Sequence, residues 1–147
     1  MKKFLWLSCI LPSLVAPAFG VTLYAAGVKT VAACDFATEP LKQIVDPLAY
    51  PAGWKIIVAC TDEEWLQITR HFDASLSQSA FTMRDVRITV VNARIFRQKI
   101  YSGPVHTLRH ELGHIICNSK SEDVADNFAD TGICLNNRSA MKIARQL

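Results

Sequence analysis

This chain of 147 residues lacks CxxC pairs, internal repeats, low-complexity segments and any apolar run of membrane-spanning length. Without an apolar run of about 20 residues, we expect no membrane-spanning helix in the mature protein. The absence of CxxC disfavours a zinc knuckle held by thiolates. The small charge excess, 16 Lys plus Arg against 13 Asp plus Glu, excludes a strongly basic surface of the kind that binds nucleic acid.

The composition that is present indicates an ordinary globular protein. Half of the residues are apolar and 20% are charged, which is typical of folded domains. The length suits one domain with one core. We therefore predict a single domain over residues 21–147, preceded by a signal peptide over residues 1–20.

The N-terminal region has the layout of a secretory signal peptide. Lys2 and Lys3 precede a largely apolar run over residues 4–15. Ala18 and Gly20 then supply the small residues that signal peptidase reads. Removal of residues 1–20 leaves 14 Lys plus Arg against 13 acids, a net charge of +1. We expect a secreted or periplasmic protein without a membrane segment after cleavage.

Hydrophobic patterning predicts a small α+β domain with a short, largely antiparallel sheet. The segment Trp54–Cys60 is typical of a strand, and Thr61 with Glu64 three residues later is typical of a helix start. Val86–Val91 alternates in the manner of a strand with one buried face. Residues 21–53 predict no element, and Ser75–Thr82 is interpreted as a connection.

The motif His110-Glu111-Leu112-Gly113-His114 predicts a metal site. Gly103 and Pro104 favour a helix start just before it. On a helix, His110 and His114 lie on one face, four residues apart, and can bind one zinc ion. Glu111 stands beside the first ligand and can take a proton from a zinc-bound water. We predict Zn²⁺ as the cofactor and Glu111 as the catalytic base.

The third ligand is sought in a second helix that begins near Glu122 and ends before Gly132. Glu122 and Asp126 are four apart, so Glu122 can bind the metal while Asp126 accepts a hydrogen bond from a ligand histidine. Asp123, Asp126 and Cys117 remain alternative ligands. Glu122 would be unavailable if it formed a capping box with Ser119, and available if Ser121 caps the helix.

HELGH followed by E-x-x-x-D resembles the gluzincin branch of the zincin metallopeptidases, over roughly residues 86–131. The sequence HELGH together with E-D-V-A-D-N-F-A is also similar to exported families classed as metallopeptidases. The resemblance implies a zincin-like domain in which two histidines and the glutamate of the second helix bind zinc. It also implies that the aspartate supports the first histidine. The chain departs from typical gluzincins in its short spacing, with seven residues between His114 and Glu122.

The predicted function is that of an exported zinc metallopeptidase that cleaves a peptide or protein substrate by a Glu-activated, zinc-bound water. An alternative is a zinc-stabilised, non-catalytic binding or regulatory module. A third reading is a disulfide-stapled domain without metal. If Val86–Val91 is an exposed edge strand, an extended substrate could pair with it. Tyr101, His106 and Arg109 are local candidates for stabilising the oxyanion.

Four cysteines outside the signal peptide predict two disulfides, since small exported domains pair their cysteines. Sequence distance favours Cys34–Cys60 and Cys117–Cys134, but all pairings remain open. If the two site helices run antiparallel, Cys117 and Cys134 lie at opposite ends of the first helix. Only a sharp reversal at Gly132 would then let them meet.

Overall fold

The computed structural model describes residues 22–26, 34–97 and 103–135. The predicted signal peptide over residues 1–20, and the oxyanion candidate Tyr101, lie outside the described residues. Within the described ranges, no helix combines the length and the apolar character that crossing a bilayer requires.

The described residues form a mixed four-stranded sheet in the order β1-β2-β4-β3. Its strands are β1 (Thr22–Ala26), β2 (Lys55–Ala59), β3 (Ala80–Met83) and β4 (Ile88–Asn92). The pairs β1–β2 and β2–β4 are parallel, and only β3–β4 is antiparallel. The expectation of a largely antiparallel sheet is therefore wrong. Helical connections between β1 and β2 and between β2 and β4 are long enough for the crossovers that parallel pairs need.

Four α-helices complete the α+β domain within the described ranges. They are α1 (Asp35–Val45), α2 (Asp62–His71), α3 (Gly103–Ile116) and α4 (Glu122–Thr131), with a short 3-10 helix at Ala93–Phe96. Apolar residues of α1 and α3 pack on one face of the sheet, and α2 packs on the other. The fourth helix, α4, packs on α3.

Local signals in the sequence correctly predict several element boundaries. The Thr61 hydroxyl accepts a hydrogen bond from the Glu64 amide at the start of α2. Asn118, predicted to stop α3, has a positive φ of 48°, as is usual after a helix C-terminus. Gly132 ends α4 in the left-handed conformation with φ 74°. These ends depend on backbone chemistry within a few residues, which explains why sequence alone identifies them.

The prediction that Val86–Val91 is a strand with one buried face is wrong in both extent and environment. The strand β4 begins at Ile88, because the preceding residues form a turn in which Arg87 has a φ of 56°. Thr89, Val90 and Val91 are all buried. Helices cover both faces of the sheet, so β4 has no face in contact with solvent.

Four elements of the described structure were not predicted: β1, α1, β3 and the 3-10 helix at Ala93–Phe96. The helix α1 contains Pro40, which normally argues against a helix interior. It forms because Ala37, Leu41 and Val45 recur at helical spacing and are all buried. The strand β3 overlaps the segment interpreted as a connection. It was not predicted because it has only four residues and follows a serine-rich stretch.

The two predicted disulfides are present, as Cys34–Cys60 and Cys117–Cys134. The second bridge coexists with antiparallel site helices because the chain reverses at Gly132. After this turn the Asn127 side-chain amide donates to the Ile133 carbonyl over 2.6 Å, so the chain runs back along α4. Two disulfides are compatible with an extracellular location.

Candidate metal centre

The helix α3, which carries both histidines of the motif, has a well-defined start. It begins at Gly103, whose φ of 64° suits glycine, and the Thr107 hydroxyl donates to the Gly103 carbonyl over 2.9 Å. At helical pitch, His110 and His114 lie one above the other on one face. Their imidazole ring centroids are 4.9 Å apart. The spacing therefore places both rings close together on one face of α3.

Gly113 lets α4 approach that face closely. A Cβ atom at this position would lie 3.0 Å from the Ala125 Cα and 3.0 Å from the Phe128 Cβ. Both distances are shorter than an ordinary carbon–carbon contact of about 3.5–4.0 Å. A larger residue at position 113 would therefore push the two helices apart. The close approach brings the start of α4, with Glu122, to the two histidines.

Three side-chain atoms of His110, His114 and Glu122 converge on one point. The two Nε2 atoms are 3.2 Å apart, and His110 Nε2 lies 3.0 Å from Glu122 Oε2. His114 Nε2 lies 3.7 Å from Glu122 Oε1. Ligands at about 2.05 Å from a tetrahedral zinc ion are roughly 3.3 Å from each other. This His-His-Glu group could bind a metal ion.

The second nitrogen of each ring, Nδ1, faces away from the converging Nε2 atoms and has its own hydrogen-bond partner. His110 Nδ1 lies 2.6 Å from the Asp126 carboxylate, and His114 Nδ1 lies 3.0 Å from the Ser119 carbonyl. Both partners accept hydrogen bonds only, so each neutral ring carries its proton on Nδ1. Two Nε2 lone pairs and a carboxylate then face one another. Such a set of acceptors fits a cation, and the outer carboxylate fixes the ring orientation.

The local structure distinguishes Glu122 from the other predicted third ligands. Ser121 occupies the N-cap position of α4, without a side-chain capping hydrogen bond, and the Ser119 hydroxyl accepts from the Ser121 amide over 3.1 Å. Glu122 is thus free of the capping box. Cys117 is in a disulfide, which removes its thiolate. Asp123 is exposed and does not belong to the converging group.

Glu111 lies beside this group but in a different environment. It is only 5% exposed, and its Oε2 atom has no hydrogen-bond partner among the described residues. Burial, together with the nearby Glu122 carboxylate, raises the pKa of Glu111 from 4.5 to about 7, while the nearby His110 lowers it. A carboxylate of this pKa suits general base catalysis near neutral pH.

A cleft of about 1300 Å³ opens between α3 and the strand β3. The histidines, Glu111 and Glu122 line it, as do residues 78–85 of the β3 region. Within the described sheet, β3 is an edge strand and pairs only with β4. The edge beside α3 is therefore β3, whereas the predicted edge segment Val86–Val91 includes β4, which lies between β2 and β3.

The oxyanion candidates fall on different faces of α3. His106 lines the cleft, but its Nε2 lies 3.1 Å from the Asp130 carboxylate. Arg109 lines a separate apolar pocket next to Gly132. The pair His106–Asp130 extends the ladder formed by His110 with Asp126. Asp130 was not among the predicted residues, although it lies four residues after Asp126, just as His106 lies four residues before His110.

Comparisons with known proteins add no identification: no family model, no curated protein and no solved structure matches this chain.

Proposed function

We propose that the mature chain is an exported, zinc-dependent metallopeptidase of the zincin type, gluzincin-like in its ligands, that hydrolyses peptide bonds. The observation that carries this proposal is the convergence of His110, His114 and Glu122 within 4.8 Å, with the buried carboxylate of Glu111 beside them in one cleft. A purely structural metal site has no use for a base beside its ligands. The HELGH and E-x-x-x-D resemblance supports the same conclusion.

In this proposal, His110, His114 and Glu122 hold the ion, and Asp126 orients His110 from behind. Bound zinc would lower the pKa of a water molecule and polarise the substrate carbonyl. The Glu111 carboxylate accepts the proton of the attacking water and later passes it to the leaving amine. Its burial in the cleft keeps the carboxylate away from competing solvent.

The substrate in this proposal is an extended peptide or protein segment. The outer edge of β3 has no partner strand among the described residues, so its backbone groups are available for pairing. The edge faces the same cleft as the metal-binding group. A peptide added there would lie in the cleft that Glu111 and His114 line. Neither a nucleic acid nor a membrane is part of this proposal.

The alternative is a zinc-stabilised binding or regulatory module without turnover. It is favoured by one observation: the His106 ring, the cleft's candidate oxyanion donor, is paired with Asp130. Catalysis at useful rates requires a group that stabilises the oxyanion. Under this alternative, removal of Glu111 would change neither binding nor any biological effect.

Metal analysis followed by a peptide-library digest tests the proposal. We expect one zinc per chain in the purified protein, lost in His110→Ala and in His114→Ala. The matched control is His106→Ala, which leaves the converging group intact and should retain zinc. Glu111→Gln should keep zinc and lose cleavage. A zinc-loaded wild type that cleaves nothing in the library would favour the binding module, and a protein without zinc would refute both readings.

A further inference from the structure

Two basic residues line the end of the cleft at which α3 ends. Arg84 is the first residue after β3, and Lys120 lies in the turn between α3 and α4. Asp85 lines the same end, so these three side chains together carry a net positive charge. Neither basic residue forms an ion pair with a carboxylate in the described part of the chain. Their charges are therefore available to a ligand in the cleft.

Arg84 is held in place by its side chain and by its backbone. Its Nη1 donates to the Asn118 side-chain oxygen over 2.6 Å, and its carbonyl accepts from the Arg87 amide over 3.2 Å in the turn between β3 and β4. Asn118 directly precedes Ser119, whose carbonyl lies 3.0 Å from His114 Nδ1. The guanidinium is thus tied to the turn that supports a candidate metal ligand. Because the Asn118 amide is neutral and takes only one N–H donor, the charge and the other donors of the guanidinium remain for a ligand.

The opposite end of the cleft carries a carboxylate. His106 and Asp130 line it, and His106 Nε2 lies 3.1 Å from the Asp130 carboxylate. His106 precedes His114 by eight residues, which is about 12 Å at the helical rise. Glu122 lies between the two ends and is a metal ligand in the proposed function. The cleft therefore has an acid at one end and unpaired basic groups at the other, a distribution that selects among charged peptides.

Arg84 lies about two residues of extended peptide away from the metal-binding group. Asn118, which holds the guanidinium, follows His114 by four residues, which is about 6 Å at the helical rise. A peptide in the extended conformation advances about 3.3 Å per residue. A peptide that pairs with β3 and has its scissile carbonyl at the metal would therefore place a side chain about two residues from that carbonyl beside Arg84.

We infer that Arg84 is a specificity-determining residue that binds an acidic side chain of the substrate, about two residues from the cleaved bond. The planar fork of an arginine matches a carboxylate and can donate parallel hydrogen bonds to both of its oxygens. Since Asn118 already fixes the guanidinium, little side-chain freedom is lost when the substrate binds. This inference rests on the proposed function, because it names the class of peptide that the proposed peptidase would cleave.

The kinetic test uses pairs of end-blocked peptides that differ only in having glutamate or glutamine at one position. This position is moved along the peptide on both sides of the cleaved bond. For the zinc-loaded wild type, we expect kcat/KM to be about 5- to 10-fold higher for the glutamate peptide at one such position, through a lower KM. Arg84→Gln should abolish this preference, and Arg84→Lys, which keeps the charge without the fork, should retain part of it.

The matched control is Arg87→Gln, which removes the same charge from the same turn. Arg87 is exposed and does not line the cleft, so the control should keep the preference for glutamate. Loss of the preference in both variants would show an effect of net charge and overturn the inference. A wild type without any preference, or an Arg84→Gln enzyme that retains it, would do the same. Peptides with a free C-terminus form a further arm, and a preference confined to them would overturn the assignment to an acidic side chain.

Binding to the zinc-loaded Glu111→Gln protein gives a readout that does not depend on turnover. The probes are fluorescent forms of the same end-blocked peptides, and fluorescence anisotropy measures their affinities. We expect the glutamate probe to bind about 5- to 10-fold more tightly than its glutamine twin, and the difference to vanish when Arg84→Gln is added. Equal affinities, or no binding of either probe, would overturn the inference.

The two readouts separate the inference from the proposed function. A binding preference that depends on Arg84, in a protein whose wild type cleaves neither peptide, would retain the acidic subsite and reject the peptidase. Cleavage that requires Glu111 but shows no preference for glutamate would retain the peptidase and reject the subsite.

Discussion

Replacement of Gly113 by alanine places a methyl group between the two helices that carry the candidate metal ligands. The added Cβ would lie 3.0 Å from the Ala125 Cα and from the Phe128 Cβ, and 3.1 Å from the Ala125 carbonyl oxygen. Two of these three atoms belong to the backbone, so a side-chain rotation cannot relieve the contact. To reach an ordinary separation of about 3.5–4.0 Å, α4 must move away from α3 by roughly 0.5–1 Å.

Two opposing effects decide the stability of Gly113→Ala. Overpacking a tight contact costs about 1–3 kcal/mol. Alanine also favours a helix interior over glycine by about 1 kcal/mol. We therefore expect a net loss of up to about 2 kcal/mol in the free energy of unfolding of the metal-free protein. Urea denaturation, followed by circular dichroism, measures this difference.

The effect on metal binding should be larger than the effect on stability. The Nε2 atoms of His110 and His114 lie 3.0 and 3.7 Å from the oxygens of Glu122. A shift of α4 by roughly 0.5–1 Å therefore spoils the geometry that zinc requires, and we expect zinc affinity to fall on the order of 10- to 100-fold. Competition with a chromophoric chelator measures the affinity.

The control for Gly113→Ala is Ile116→Ala on the same helix. Ile116 is 48% exposed, so its truncation alters helix propensity without moving α4. Zinc affinity should stay at the wild-type value in this control. A Gly113→Ala protein that is about 1 kcal/mol more stable, with unchanged zinc affinity, would refute the argument that glycine is required for close helix packing.

Three further predictions concern the acid of α4, the buried base and the second disulfide. Glu122→Ala should weaken zinc binding far more than Asp123→Ala, as measured by chelator competition; the reverse order would move the ligand to Asp123. In metal-free protein, the pKa of Glu111 is about 7 when folded and 4.5 in its ordinary state, so the folded state is progressively disfavoured as pH rises through this window. Glu111→Gln should therefore raise the free energy of unfolding by roughly 3 kcal/mol at pH 8 and by little at pH 4; denaturation curves that show no pH-dependent gain would contradict this. Joint replacement of Cys117 and Cys134 by serine should lower the free energy of unfolding by about 3 kcal/mol, and unchanged thermal unfolding would contradict that value.

Features that depend on a few neighbouring residues could be predicted from the sequence. Helical geometry places His110 and His114 on one face whatever the rest of the chain does. The same reasoning located Asp126, whose carboxylate lies 2.6 Å from His110 Nδ1. The start of α2 and the ends of α3 and α4 follow from side-chain capping and from backbone conformations with positive φ.

Features that depend on distant partners needed the tertiary structure. The strand β3 is identified only by its pairing with β4. The parallel pairing of β2 with β4 depends on a crossover connection that local sequence patterns do not encode. Burial of several apolar residues outweighs the cost of Pro40 in α1. No periodicity in the sequence relates these segments.

The site itself divides in the same way. Sequence spacing determined which face of α3 carries the histidines. Only packing decided that Glu122, and not Asp123 or Cys117, stands opposite them, because Gly113 sets the distance between α3 and α4. Only the tertiary structure decided that Thr82 and Glu111 line one cleft, because strand pairing and helix packing bring them together rather than their places in the chain.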